Sequence, residues 1–435
     1  MAARRLGEHR RRQPGGDRRR PDGPPALSGR RHREEAGVPA DRPRREQARR
    51  GQEEPHRGAG CRRDPRRPRH GGRDRDARPG DRRLRPRTVS HAVHEPNWPA
   101  RIVIALAALI ALILAVALAV TIGEMRIPLR TALEALANGL FALDFPVGAI
   151  EQGVIFDYRL SRALMAGLCG GALALSGAIL QALLRNPLAE PYVLGISAGA
   201  STGAVAVLIL GVGIGGATLT VSAGAFIGSC AALAVVAMLA AGAGGASDRV
   251  ILAGVATSQI FNAATATIVT TLASAEQARG VMFWLLGNFG GVRWPDLWIA
   301  APVAVLGFAI CMLHAKVLDA FAFGVDAAAS LGVAVTRVKV VLFATTAVMT
   351  AVMVSIVGTV GFVGLIIPHA ARFLVGSGHA RLLPACLVVG AIFMILADIL
   401  SRVLIPQQIL PIGVVTALFG APVFAIILHR ARRPA

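Results

Sequence analysis

The chain has 435 residues, 54% of them hydrophobic, and a formal net charge of +21. That charge is unevenly held: residues 1–100 contain 29 arginines against 14 acidic residues, and the remainder is apolar and only weakly basic. A soluble globular domain is excluded for the second part, and a basic balance concentrated at one end does not make the whole chain a nucleic-acid binder.

In chain order, residues 1–95 come first. They are rich in Arg, Pro and Gly without an apolar period, so they bury too little surface to offset chain entropy and are expected to form a disordered tail. The whole chain has two lysines, Lys316 and Lys339, a usage that fits GC-rich coding DNA. The tail is therefore read as a dispensable extension or as translation upstream of the true start, in preference to an RNA-binding arm or an anchor to anionic lipid.

Residues 96–433 read as one membrane domain. From Ile102 to Ile122 no residue is charged, and a helix of that length spans about 30 Å, the full hydrocarbon core. Further spans are expected at 163–184, 196–213, 220–242, 250–273, 297–315, 338–357, 361–375, 382–405 and 411–428. That makes about ten transmembrane helices in an all-α membrane protein, with both termini on one side. The closing His429-Arg430-Ala431-Arg432-Arg433, together with Lys316, Arg337 and Lys339, marks that side as cytoplasmic. Arg159, Arg162, Arg279, Arg293 and Arg402 then fall outside. Arginines on that side run against the positive-inside tendency and require a use of their own.

Within the spans, several patterns carry possible chemistry. Asn186-Pro187-Leu188-Ala189-Glu190-Pro191 breaks the chain after the second span, because proline removes a backbone donor and pushes its predecessor out of helix. Gly244-Gly245-Ala246-Ser247-Asp248 is a small-residue turn. Ser258, Asn262 and Thr265 share one face of the fifth span. That face suits either a pathway wall or hydrogen bonding between helices and back to the helix itself. Gly324 and Gly332 bracket a short alanine-rich helix. Gly361-Phe362-Val363-Gly364-Leu365-Ile366-Ile367-Pro368-His369 puts glycines, a proline and a histidine into apolar sequence, which suits a packed or bent helix more than a lipid-facing one. Asp398 stands four residues before Arg402, where the two can neutralise each other, and structural duty is expected of Asp398 and His369. Gly413, Ala417 and Gly420 form a small-residue stripe on the last span. The scattered cysteines (Cys61, Cys169, Cys230, Cys311, Cys386) make no zinc or redox motif, and no metal or cofactor is expected.

Read together, residues 159–203, RVILAGVATS (249–258), FWLLGNFGG (283–291), GFVGLIIPHAAR (361–372), LLPACLVVGAIFMILADILSR (382–402) and LPIGVVTALFGAPVF (410–424) resemble the FecCD-type permease subunit of binding-protein-dependent ABC importers. The likeness covers residues 100–430 and not the tail. Ser161 and Thr359 depart from the usual pattern, as do Val325 and Ala329, the last two in the segment where the resemblance implies contact with an ATPase.

The resemblance implies a type II ABC importer permease fold and a bacterial plasma-membrane location. It implies three partners besides membrane lipid: ABC ATPase subunits, a periplasmic or lipid-anchored substrate-binding protein, and a second permease subunit in a homo- or heterodimer. No nucleic acid is implied. Neither lysine lies in a GxxxxGK[ST] frame, so no P-loop is possible and ATP must act on another polypeptide. The chain is thus expected not to be an enzyme. An iron–siderophore complex is the expected cargo, with haem and cobalamin as alternatives.

By the same resemblance, Arg159, Arg162 and Arg402 would dock the binding protein. Ser258, Asn262, Thr265, Gly413, Ala417 and Gly420 would line the pathway and the dimer seam, and Ser247 and Asp248 would form a cytoplasmic gate. Gly324, Asp326, Leu331 and Gly332 would contact the ATPase. The rival reading, an ion-coupled secondary transporter, requires a relay of ionisable residues inside the spans; His369 and Asp398 are the main candidates, and no second intramembrane acid pairs with them.

Overall fold

The computed structural model describes residues 98–431 apart from 124, 126, 215–216, 243–246 and 407. The N-terminal tail lies outside the described residues. Helix α1 (Trp98–Thr121) is followed by a short amphipathic helix, α2 (Leu129–Phe141), which buries Ala132 and Ala135. Helix α3 (Ala149–Gln152) and a π-helical stretch, Gly153–Leu160, lead straight into α4 (Ser161–Leu184). A 3-10 turn, Pro191–Leu194, precedes α5 (Ile196–Leu210). The antiparallel strands β1 (Gly213–Ile214) and β2 (Ala217–Thr218), with Gly213 opposite Thr218, join α5 to α6 (Val221–Gly242).

The remaining helices are α7 (Ser247–Leu272), α8 (Ala275–Leu285), α9 (Trp294–Leu313), α10 (Ala315–Ala322), α11 (Val325–Ser330), α12 (Val335–Val357), α13 (Val363–Val375), α14 (His379–Val403) and α15 (Ile412–Ala431). Among the described residues, seven helical stretches are long and apolar enough to cross a membrane, and three shorter apolar helices (within α5, α13 and α15) bring the number to the ten expected. The short helices α2, α8 and α10 were not anticipated. For α8 the signal was present: Ser274 and Gln277 form a capping box, the Gln277 N–H donating to Ser274 Oγ at 3.2 Å and the Ser274 N–H to Gln277 Oε1 at 2.9 Å.

The centre of the fold is α4, which packs on α9, α12, α13 and α14 and is buried along almost its whole length. Its glycines let backbones touch. A Cβ on Gly170 would stand 2.2 Å from the Gly390 carbonyl oxygen of α14, and one on Gly177 would stand 1.9 Å from that of Gly364 in α13. Lipid supplies no hydrophobic drive between helices, so such close approach is what holds them.

The glycine–proline motif builds a second interlock. Phe362 takes a left-handed conformation (φ 70°) just ahead of α13, at the cost of local strain. Pro368 has no N–H to offer the Gly364 carbonyl four residues earlier. The Gln181 amide of α4 donates to that carbonyl instead, at 3.2 Å, while its Oε1 accepts from Arg372 Nη1 at 2.7 Å. A carbonyl freed by proline is therefore satisfied from a neighbouring helix, as low-dielectric surroundings demand.

Candidate functional site

Three groups of expected residues come to lie in three places. The first is where the end of α1, the start of α4 and the end of α14 meet. Asp398 is fully buried, and its Oδ1 accepts from Arg162 Nε at 2.8 Å, with Arg162 Nη2 also at 2.8 Å. Its Oδ2 lies 3.2 Å from Arg402 Nε, held by charge without an aligned hydrogen bond. Arg162 also donates to the Tyr158 hydroxyl at 2.9 Å. Arg402 donates to the carbonyls of Ile122 (2.8 Å) and Ala119 (3.1 Å), and Arg159 to those of Val120 (3.0 Å), Thr121 and Met125.

Ala119, Val120 and Thr121 carry last carbonyls of α1, which no intrahelical partner serves, and Ile122 and Met125 lie just beyond the helix end. Two guanidinium groups cap that helix end, where the dipole favours a cation. Arg159, Arg162 and Arg402, expected to dock a binding protein, are 3%, 1% and 6% exposed, and the donors named above are engaged inside the chain. The neutralising Asp398–Arg402 pair expected from their spacing is present; Arg162, which reaches Asp398 from across 236 residues, was not foreseen as its partner.

The second place is a cavity of about 450 Å³ between α5, α7, α8 and the α12–α13 junction. Its polar lining comes from Tyr192, Ser197, Ser201, Asn262, Thr265, Thr270 and Thr359, with no Asp, Glu, Lys, Arg or His among the lining residues. Of the expected pathway stripe, Asn262 and Thr265 line this cavity and Ser258 does not. The hydroxyl of Ser258 donates to Gly254 O on its own helix at 2.8 Å. Thr265 Oγ1 is 2.8 Å from Thr202 Oγ1 on α5, and the Thr202 hydroxyl also bonds the Phe261 carbonyl. For these two, hydrogen bonding within and between helices describes the geometry. Asn262 is exposed to the cavity. Tyr192, Ser197, Ser201, Thr270 and Thr359 were missed: Ser197 and Ser201 share a face of α5, but nothing in the sequence pairs that face with α7, the Pro191–Leu194 turn or Thr359.

The stripe on α15 turns inward. A Cβ on Gly413 would meet the Leu286 carbonyl at 2.5 Å, and one on Gly420 would meet Phe362 Cβ at 2.7 Å. Ala417 is half-buried on the same helix. The backbone N–H groups of Ile412 and Gly413 donate to Gly287 and Leu286, joining α15 to the turn after α8. Gly413 and Gly420 therefore serve close packing inside the subunit.

The third place is the α10–α11 hairpin. Leu318, Phe321 and Ala328 fix it to the core, whereas Asp326 and Leu331 are exposed, Leu331 to 75%. Gly324 (φ 114°) and Gly332 (φ 81°) bound α11 in conformations that side chains rarely adopt. The hairpin is thus amphipathic and anchored rather than a solvated connector. Ser247 and Asp248 open α7, with Asp248 exposed in its first turn, where a carboxylate suits the helix dipole. Residues 243–246 of the expected gate lie outside the described residues. His369 donates to, or accepts a proton shared with, no acid: its Nδ1 lies 2.9 Å from Leu365 O on the same helix. Among the described residues no group of His, Cys, Asp and Glu is placed to hold a metal ion.

The model of the FecCD transport family matches residues 110–430. The chain is 36% identical over 330 residues to the uncharacterized ABC transporter permease protein YvrB of Bacillus subtilis, covering 74% of this chain and 92% of that one. It is 38% identical over 288 residues to the cobalamin import system permease protein BtuC of Halobacterium salinarum, covering 66% of this chain and 76% of the other. It is 40% identical over 291 residues to the vitamin B12 import system permease protein BtuC of Klebsiella pneumoniae, covering 66% and 85%. A solved structure of an inward-facing metal-chelate type ABC transporter is 28% identical with a TM-score of 0.66, covering 76% of this chain and 99% of the other.

Proposed function

We propose, from the premise that this chain belongs to the FecCD transport family and is an ABC-importer permease, that its cargo is a metal chelate of the cobalamin type. The observation carrying this is identity of 38–40% to two permeases named for cobalamin import. The cavity beside α7 supports it: hydroxyl and amide groups line it without a charge, which suits passage of a bulky, amide-rich chelate that must be released as well as admitted. The iron–siderophore expectation rested on how common that cargo is in the family, and nothing in the lining prefers it.

On this reading the chain works with a second permease copy, ABC ATPases and a soluble or lipid-anchored binding protein, in a bacterial inner membrane with both termini in the cytoplasm. The exposed Asp326 and Leu331 on an anchored hairpin support ATPase contact there. The test is uptake into liposomes containing the permease with its ATPase and binding protein. ATP-dependent accumulation of labelled cyanocobalamin is expected. Accumulation of a ferric hydroxamate and not cyanocobalamin would replace the cargo, and accumulation by the permease alone would overturn the importer.

A further inference from the structure

The start of α14 is capped by a residue that does not belong to it. Gly378 precedes the helix and offers no side-chain cap. Asp319 of α10 supplies one: its Oδ1 accepts from the His379 backbone N–H at 2.9 Å and lies 2.6 Å from His379 Nδ1. His379 is buried, and its ring and amide converge on a single carboxylate oxygen at a helix N-terminus, where negative charge is favoured.

At its other end, α14 carries Asp398 in the buried ion cluster with Arg162 and Arg402. Nineteen residues separate His379 from Asp398, or about 28 Å of helix. Between the two, α14 stays helical through Pro384, and Gly390 and Gly170 bring the backbones of α14 and α4 into contact, bracing α14 part-way along its length. Coupling over such a distance needs a stiff element fixed at both ends, and α14 is fixed at both.

We infer that Asp319 and His379 are positioning residues that fasten the α10–α11 hairpin to α14, so that movement of the hairpin is delivered along α14 to the outer ion cluster. This rests on the importer reading, in which an ATPase moves that hairpin. Apolar packing by Leu318 and Phe321 already holds the hairpin against the core. Such packing can slide, whereas a cap with two bonds to one oxygen fixes register along the α14 axis.

The test uses the permease in its complex with the ATPase and binding protein, with Cys61→Ser, Cys230→Ala and a fluorophore on Val403→Cys at the outer end of α14. ATP hydrolysis and the ATP-induced change in fluorescence are read together. Asp319→Ala is expected to leave hydrolysis within about two-fold and to reduce the fluorescence change by at least about five-fold. Asp319→Asn, which keeps an acceptor for the His379 N–H, is expected to restore most of it. A full response in Asp319→Ala overturns the inference while leaving the importer intact. A proportional fall in hydrolysis and response also overturns it, because the pair is then only a local staple. An unmodified complex that hydrolyses no ATP removes the importer reading and this inference with it.

Discussion

Helices α4 and α7 have similar lengths, 24 and 26 residues, and both are apolar enough to cross a membrane. Their surroundings are opposite. Of an 18-residue apolar stretch in the continuous helical segment Ala149–Leu184, which includes α4, 83% is buried within the chain; of one in Asp248–Leu272 of α7, 22% is. The difference lies in what interrupts the hydrophobic sequence. In α4 the interruptions are glycines that admit other backbones, a glutamine that serves a proline-freed carbonyl, and an arginine that meets a buried acid. In α7 they are hydroxyls, several of which bond back to their own helix, and two exposed amides, Gln259 and Asn262. Polar residues that tie helices together make a spine; those satisfied locally leave a face free for lipid, a second subunit or cargo.

The contrast is most sharply tested at Asp398. Replacing it with alanine leaves Arg162 and Arg402 buried without their counter-ion, which should cost about 3–5 kcal/mol. Thermal unfolding in detergent should show a large drop, or no folded protein at all. A shift equivalent to less than about 1 kcal/mol would mean that the cluster does not hold the spine.

A smaller effect is expected at Glu190, in the turn where the spine meets α13. Burial pushes its carboxyl up to about 7, against a hydrogen bond from the Phe362 backbone that lowers it. A raised value means that the fold favours the protonated form. The associated stability is complete below the ordinary value of 4.5 and is lost as pH rises through about 7. Glu190→Gln removes the titration and keeps an acceptor, so its advantage over the unmodified protein should grow by on the order of 2 kcal/mol between about pH 5 and about pH 8. Parallel melting curves across that range would refute a buried, titrating Glu190.

The smallest stability effect belongs to Asn262→Ala on the free face of α7, within about 0.5 kcal/mol of the unmodified protein. Cyanocobalamin uptake by the assembled complex should nevertheless fall. Destabilisation as large as that of Asp398→Ala would erase the distinction between spine and free face.

Individual residues show how far the sequence could be read. Spans were legible because each backbone donor in hydrocarbon must be satisfied within its own helix, which imposes a minimum apolar length. The pairing of Asp398 with Arg402 was legible because four residues make one helical turn. Arg162 could not be assigned to Asp398, nor Gln181 to Gly364, since neither pair shares an element or a spacing. The same blindness placed the three arginines on the surface: a charge near a span end looks alike whether it meets solvent or the carbonyls of another helix.

By itself the sequence determined the class of the protein, the number of its spans and the absence of a nucleotide-binding loop, all of which follow from local composition and period. Tertiary structure alone decided which helix is the spine, which polar groups face the cavity, and that Asp319 caps a helix 60 residues away. Membrane helices are almost equally apolar on every side, so the hydrophobic pattern carries little information about neighbours. Those choices are made by backbone contact and by the pairing of a few buried polar groups, and both exist only once the helices have met.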